Sequence, residues 1–154
     1  ALKKSVGSLV VDDPAELKAD LGPLMSKIDL LRFQKLMERH SDMIIHGGKR
    51  ARGEFLDGGS YVEPTMAEVT YAECELGSYD TGLPILAIVS VPDAEEMFEE
   101  LLSTECGLSA SLFSDDDKII KRFREEAEAP ILNINEGTEK TLPAATLSIE
   151  RFSA

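Results

Sequence analysis

The chain has 154 residues, with 29 acidic side chains against 16 Lys plus Arg and a formal net charge of −13. That length fits one domain with a sizeable core; 43% hydrophobic residues, with only eleven Gly, seven Pro and two Cys, exclude collagen, low-complexity disorder and a disulfide scaffold. So acidic a surface repels polyanions, which argues against nucleic acid as a partner.

In chain order, Asp12-Asp13-Pro14 places a cap and a first-turn proline before Ala15, and the spacing predicts a short helix over 15–20, stopped by Gly22-Pro23. Ser26 caps a stronger helix to about His40, with a stripe of Ile28, Leu31, Phe33, Leu36 and Met37. Met43-Ile44-Ile45 reads as a short strand closed by Gly47-Gly48. From Lys49 to Gly59 the Gly, Arg and charge content predicts a surface loop. Tyr61 to Thr70 alternates apolar and polar residues and is predicted extended despite Pro64. After a second loop over 72–82, the apolar run Pro84 to Val91 predicts a strand covered on both faces.

Pro92-Asp93 opens a helix to about Ser103, apolar at Ala94, Met97, Phe98, Leu101 and Leu102 and acidic at Glu95, Glu96, Glu99 and Glu100. Leu108 to Phe113 is a predicted strand, and Ser114 with Asp115 caps the next helix, whose stripe is Ile119, Ile120, Phe123 and Ala127. Pro130 ends it, Ile131 to Ile134 is a strand, and Thr146 to Phe152 after a polar stretch is a possible last strand. Strands separated by helices imply crossovers and parallel pairing. The predicted fold is one α/β domain over 1–154, a mostly parallel open sheet with helices on both faces.

Chemistry-bearing patterns are sparse. Cys74 lies between Glu73 and Glu75, whose charges disfavour a thiolate, and Cys106 follows Glu105 at a helix end, so neither has the electropositive setting of a nucleophile. No Gly-x-Ser-x-Gly elbow is present. His40, Asp42 and His46 lack the spacing of a helical metal site, and Asp115-Asp116-Asp117 is a helix cap rather than a calcium loop. The basic turn Gly47-Gly48-Lys49-Arg50-Ala51-Arg52-Gly53 lacks the spacing of a phosphate loop. The residues alone assign no catalytic and no metal-binding position. The longest apolar run, Leu83 to Val89, is too short for a membrane span, and two cysteines without a signal-peptide pattern point to the reducing cytoplasm.

Four blocks in order carry a resemblance: Asp20-Leu21-Gly22-Pro23-Leu24-Met25, Gly47-Gly48-Lys49-Arg50, Gly59-Ser60-Tyr61-Val62-Glu63-Pro64-Thr65 and Gly107-Leu108-Ser109-Ala110-Ser111-Leu112-Phe113. With Leu83-Pro84-Ile85-Leu86, the helix after Pro92-Asp93 and Ile131-Leu132-Asn133-Ile134-Asn135, they resemble the later part of the catalytic domain of aldehyde dehydrogenases, most closely over 19–135 with 136–154 as a tail. That family oxidises aldehydes through a cysteine thiohemiacetal, hydride transfer to NAD(P) and thioester hydrolysis. Its cofactor-binding domain, general-base glutamate and nucleophilic cysteine precede the region matched here.

The resemblance therefore implies an aldehyde-dehydrogenase-like domain without that machinery, inactive and without a cofactor as this chain alone. If other parts complete it, the cofactor is NAD(P) and the partner a dehydrogenase chain. A non-enzymatic assembly module, pairing as a homo-oligomer through the edge 146–152, is the alternative. One functional position carries over: Glu75, in Glu75-Leu76-Gly77, is similar to the family's glutamate that contacts the nicotinamide ribose, although the aromatic and proline after it are missing and Gly77 to Gly82 is about two residues longer. The family's Pro-Phe-Gly-Gly loop near the substrate has no counterpart after Asn135.

Overall fold

The computed structural model describes residues 2–16, 18–71, 74–77, 82–103 and 108–137. The expected tail strand 146–152 and Cys106 lie outside these. The chain divides into two compact units, residues 1–90 and 91–154.

The first unit begins with helix α1 (Leu2–Gly7), which the sequence pattern did not announce. Among the described residues of 15–20 no helix forms: Asp13 turns the chain instead, its carboxylate accepting from the Ala15 amide at 2.9 Å and its carbonyl from Glu16 N at 2.8 Å. These turns serve a parallel bridge between Val11 and Leu21, and the Asp20 carboxylate closes it by accepting from Val10 N at 2.8 Å. Local Asx bonding therefore displaces the helical alternative.

Helix α2 (Lys27–Arg39) forms where predicted, with Ser26 as its N-cap. The Ser26 hydroxyl accepts from Asp29 N at 3.1 Å and donates to the Asp29 carboxylate at 2.7 Å. Leu30, Phe33, Leu36 and Met37 are its buried face, while Ile28 and Leu31, expected in the stripe, are exposed at 69% and 58%.

Strands β1 (Ile44–His46), β2 (Thr65–Val69) and β3 (Ile85–Val89) form a sheet in the order β1-β2-β3, with β1 antiparallel and β3 parallel to β2. Ile44 faces Ala67 and His46 faces Met66, so Ile45 is the extra residue of a bulge. The sheet starts later than the alternation in 61–70 suggested, because Pro64 has no amide hydrogen to donate. The two strands also exchange expected roles. β2, read as alternating, is the central strand and is buried except at Glu68; β3, read as covered on both faces, pairs only with β2 among the described residues and leaves Leu86 exposed. Position in the sheet, not the local apolar run, sets burial here.

The core of this unit joins the α2 face to Val62, Ala67, Val69 and Leu76, with Ile44, Cys74, Ile85, Ala87 and Val89 packed around it. Phe33 and Ala67 are fully excluded from water. Burying a phenylalanine contributes about 1.5–3 kcal/mol, which makes Phe33 the main anchor of α2.

The second unit runs α3 (Ala94–Ser103), β4 (Ser109–Leu112), α4 (Asp117–Glu126) and β5 (Ile131–Ile134), with β4 and β5 parallel and joined through α4. Asp93 caps α3 by accepting from Glu96 N at 3.0 Å. The N-cap of α4 is Asp116, one residue beyond the expected Ser114-Asp115; its carboxylate accepts from Lys118 N at 2.8 Å while the Ser114 hydroxyl accepts from Asp116 N at 3.1 Å. Paired Ala110–Leu132 and Leu112–Ile134 present one face, against which Phe98 of α3 and Phe123 of α4 are buried. Arg122 lies over the Phe98 ring at 4.2 Å and bonds Glu95 across the two helices. Both units are α/β, and parallel pairing predominates, as the sequence pattern predicted.

Candidate functional site

Two loop systems in the first unit position the residues that the sequence singled out. The first is the basic turn. Residues 49–63 form a closed excursion: Arg50 and Val62 bridge in antiparallel fashion, Glu63 N donates to Lys49 O at 2.9 Å, and a short 3-10 turn (Leu56–Gly58) sits at the far end. The Arg50 guanidinium staples this loop from within, donating to the carbonyls of Asp57 at 2.7 Å and Gly59 at 2.9 Å. Arg52 pairs with Asp57 at 3.3 Å. Of the three cations in the turn, one is thus structural and a second is paired. The adjoining cleft also carries Glu38 and Glu63, so the turn is not a cradle for an anion.

The second system is the turn at 74–77, closed by Gly77 N donating to Cys74 O at 2.9 Å. Leu76 is 4% exposed and plugs the unit's core, which fixes the backbone. Glu75 reaches the C-terminal end of α2. Arg39 Nη1 contacts both of its carboxylate oxygens at 2.5 Å, and His40 Nε2 donates to Oε2 at 2.8 Å. The Arg39 hydrogen bond, followed by that of His40, holds the Glu75 carboxyl below the ordinary glutamate value of 4.5. Both donors sit where a helix dipole favours positive charge. The Glu75 side chain as a whole stays 45% exposed.

Cys74 packs half-buried against the core cluster. His40 is the C-cap of α2 and His46 ends β1. Among the described residues no group of three His, Cys, Asp or Glu side chains is placed to hold a metal ion, and no helix is long and apolar enough to cross a membrane. Asp116 and Asp117 act as cap and first-turn acid of α4. The structure therefore brings together Glu75 and His40, which the sequence analysis treated separately, and adds Arg39, which it missed. No short-range signal marks that pairing, since 36 residues separate Arg39 from Glu75.

Both units are α/β scaffolds with short parallel strand pairs, and in the first an acidic turn docks on the end of α2. The aldehyde dehydrogenase family profile matches residues 1–147, and the chain belongs to that family. Among relatives, the α-ketoglutarate semialdehyde dehydrogenase of Haloferax volcanii is 28% identical over 122 residues, covering 77% of this chain and 25% of the relative. Malonate-semialdehyde dehydrogenase 1 of Geobacillus kaustophilus is 26% identical over 145 residues, covering 92% and 29%. Of solved structures, 1-pyrroline-5-carboxylate dehydrogenase from Thermus, solved with bound NAD, superimposes with a TM-score of 0.74 at 26% identity, covering 86% of this chain and 25% of that one. HpcC from Thermus thermophilus reaches a TM-score of 0.82 at 24% identity, covering 93% and 29%, a likeness of fold. The chain thus spans about a quarter of the length of the relatives it matches.

Proposed function

We propose that this chain is an aldehyde-dehydrogenase-like part that does not oxidise aldehydes by itself and becomes catalytic only when completed as an NAD(P)-dependent dehydrogenase. The observation that carries this reading is the coverage: family membership over nearly the whole chain, but only about a quarter of each relative's length. The chemistry of the described residues supports it. Hydride transfer needs a nucleophile, a base and a cofactor held within bonding reach. Cys74 is packed on a core cluster, and Glu75 is bonded to Arg39 and His40.

In the completed enzyme the bound NAD(P) supplies the hydride acceptor. Among the described residues, Glu75 is suited to hold it. An ionised, acceptor-only carboxylate on a partly exposed side chain would match a ribose diol, which donates hydroxyl protons. Arg39 and His40 keep that carboxylate charged.

The test is NAD(P)H formation by the purified chain with a panel of aliphatic, aromatic and semialdehyde substrates and either cofactor. No turnover above buffer is expected. Robust turnover that Cys74→Ala or Cys106→Ala abolishes would overturn the proposal. Co-purification with a cofactor-binding dehydrogenase polypeptide, restoring turnover, is the expected positive counterpart.

A further inference from the structure

Three groups from two elements meet at the C-terminal end of α2, and their geometry points to a division of labour. We infer that Arg39 and His40 are positioning residues that hold the Glu75 carboxylate in one orientation, on a side chain exposed enough to meet a hydroxyl donor. Only the identity of that donor, a cofactor ribose, rests on the reading above.

The argument starts with the backbone. Turn 74–77 is fixed from below by Leu76 in the core and by the Gly77–Cys74 hydrogen bond. The Cα of Glu75 is therefore placed, but its side chain, on an exposed turn, retains its rotamers. Ordering such a side chain costs conformational entropy. Arg39 and His40 meet that cost from a rigid element: successive residues at the end of a 13-residue helix, they reach the same carboxylate with three contacts of 2.5 to 2.8 Å. One guanidinium nitrogen on both oxygens, with an imidazole on one of them, brings charge-assisted donors to the carboxylate from two side chains.

Magnitude decides between orientation and stability as the role. Arg39 is 59% exposed and Glu75 45% exposed, and exposed ion pairs of this kind add little to folding. A cluster that adds little stability yet uses two donors on one acceptor is suited to aiming it. The lowered titration of Glu75 agrees, with Arg39 the larger cause. Among the described residues, Arg39 and His40 are the charged and titratable groups that act on it.

The experiment uses the full chain with carbon-13-labelled glutamate, following the Glu75 carboxyl through a pH titration and its side-chain rotamer averaging through three-bond couplings. In the parent chain Glu75 is expected to titrate below 4.5 and to show one dominant rotamer. Arg39→Gln should return the titration to the ordinary range and average the couplings. Arg39→Lys, which keeps the charge, should restore the titration in part, and His40→Ala should give a smaller change of the same sign as Arg39→Gln. A parent chain whose Glu75 titrates and averages like an unpaired glutamate would overturn the inference, as would an Arg39→Gln variant, folded by its amide spectrum, with Glu75 unchanged. Because no cofactor or substrate is present, these outcomes are independent of the aldehyde assay. The clamp can fail with the dehydrogenase reading intact, and the reverse.

Discussion

The Thr65 hydroxyl accepts from the Gly48 amide at 2.9 Å and donates to the Glu63 carbonyl at 2.9 Å. Thr65 is 1% exposed, so these bonds satisfy a hydroxyl and an amide in the interior. They join two sequence blocks 17 residues apart, the Gly47-Gly48 turn after β1 and the Glu63-Pro64-Thr65 entry to β2. The glycine turn and the threonine are thus one device: the turn's donor finds its acceptor on the incoming strand.

Thr65→Val keeps the volume but removes the acceptor, leaving the Gly48 amide unpaired at a cost of about 1–3 kcal/mol. Thr65→Ser, which retains the hydroxyl, is expected to lose less. Urea unfolding monitored by circular dichroism, with the midpoint shifting and the slope unchanged, is the measurement.

Gly47 has φ +70°, and a Cβ there would stand 2.3 Å from the Pro64 carbonyl oxygen. Gly47→Ala should destabilise by more than the left-handed backbone penalty of about 1–2 kcal/mol, because the obstacle is main chain and cannot rotate away. A Cβ on Gly58 meets nothing within 4 Å, and Gly58→Ala should stay within about 0.5 kcal/mol of the parent. Equal melting temperatures for the two variants would contradict this account.

In the second unit Asn135 adopts φ 55° just after β5. Its side chain accepts from Ser114 N and donates to Ser114 O, both at 2.9 Å, and its amide donates to Leu112 O at 2.8 Å. It therefore ties together the ends of the parallel pair β4–β5. Asn135→Ala keeps the strained φ and loses both side-chain bonds, for an expected loss of about 1–3 kcal/mol. Asn135→Gly loses the same bonds but relieves the φ, and should be the milder variant. Faster amide exchange at Ile134 in the Ala variant, with no greater effect than Gly, would refute the backbone part of the argument.

Among the described residues three carboxyls are held low: Asp29 through its Ser26 hydrogen bond, Glu75 through Arg39 and Glu95 through Arg122. A depressed folded-state value means that the unfolded chain binds protons first as acid is added. Their contribution is complete above the ordinary values of 3.8 and 4.5 and disappears as pH falls through the lower folded values. Thermal stability should therefore be level between pH 5 and 7 with respect to these groups and decline below about pH 4.5. The variant Asp29→Asn, Glu75→Gln, Glu95→Gln should lie close to the parent at neutral pH, since these pairs are largely exposed, and decline slightly less steeply in acid. An identical slope would show that other groups govern the acid limb.

Much of the secondary structure is written locally. The Ser26 cap and 3.6-residue stripe announced α2, and Pro130 bounded α4, because caps and periodicity act over a few residues. Where local rules competed, neighbours decided. Asp13 had both a helix cap and an Asx turn open to it, and the Val11–Leu21 bridge selected the turn. The apolar run of β3 and the mixed run of β2 gave the wrong order of burial, since the central place in a sheet buries a strand whatever its pattern. For the candidate site, Glu75 was legible by its similarity to a family block, but its partners were not.

By itself, then, the order of residues determined the α/β class, the places of α2, α3 and α4 and the family, all of which rest on short-range periodicity or on ordered blocks. Tertiary structure alone decided partnership: Gly48 with Thr65, Ser114 with Asn135, and Glu75 with Arg39 and His40. Such pairs satisfy hydrogen-bonding groups across 17 to 36 residues, and only the folded path of the chain brings a donor and its acceptor within 3 Å.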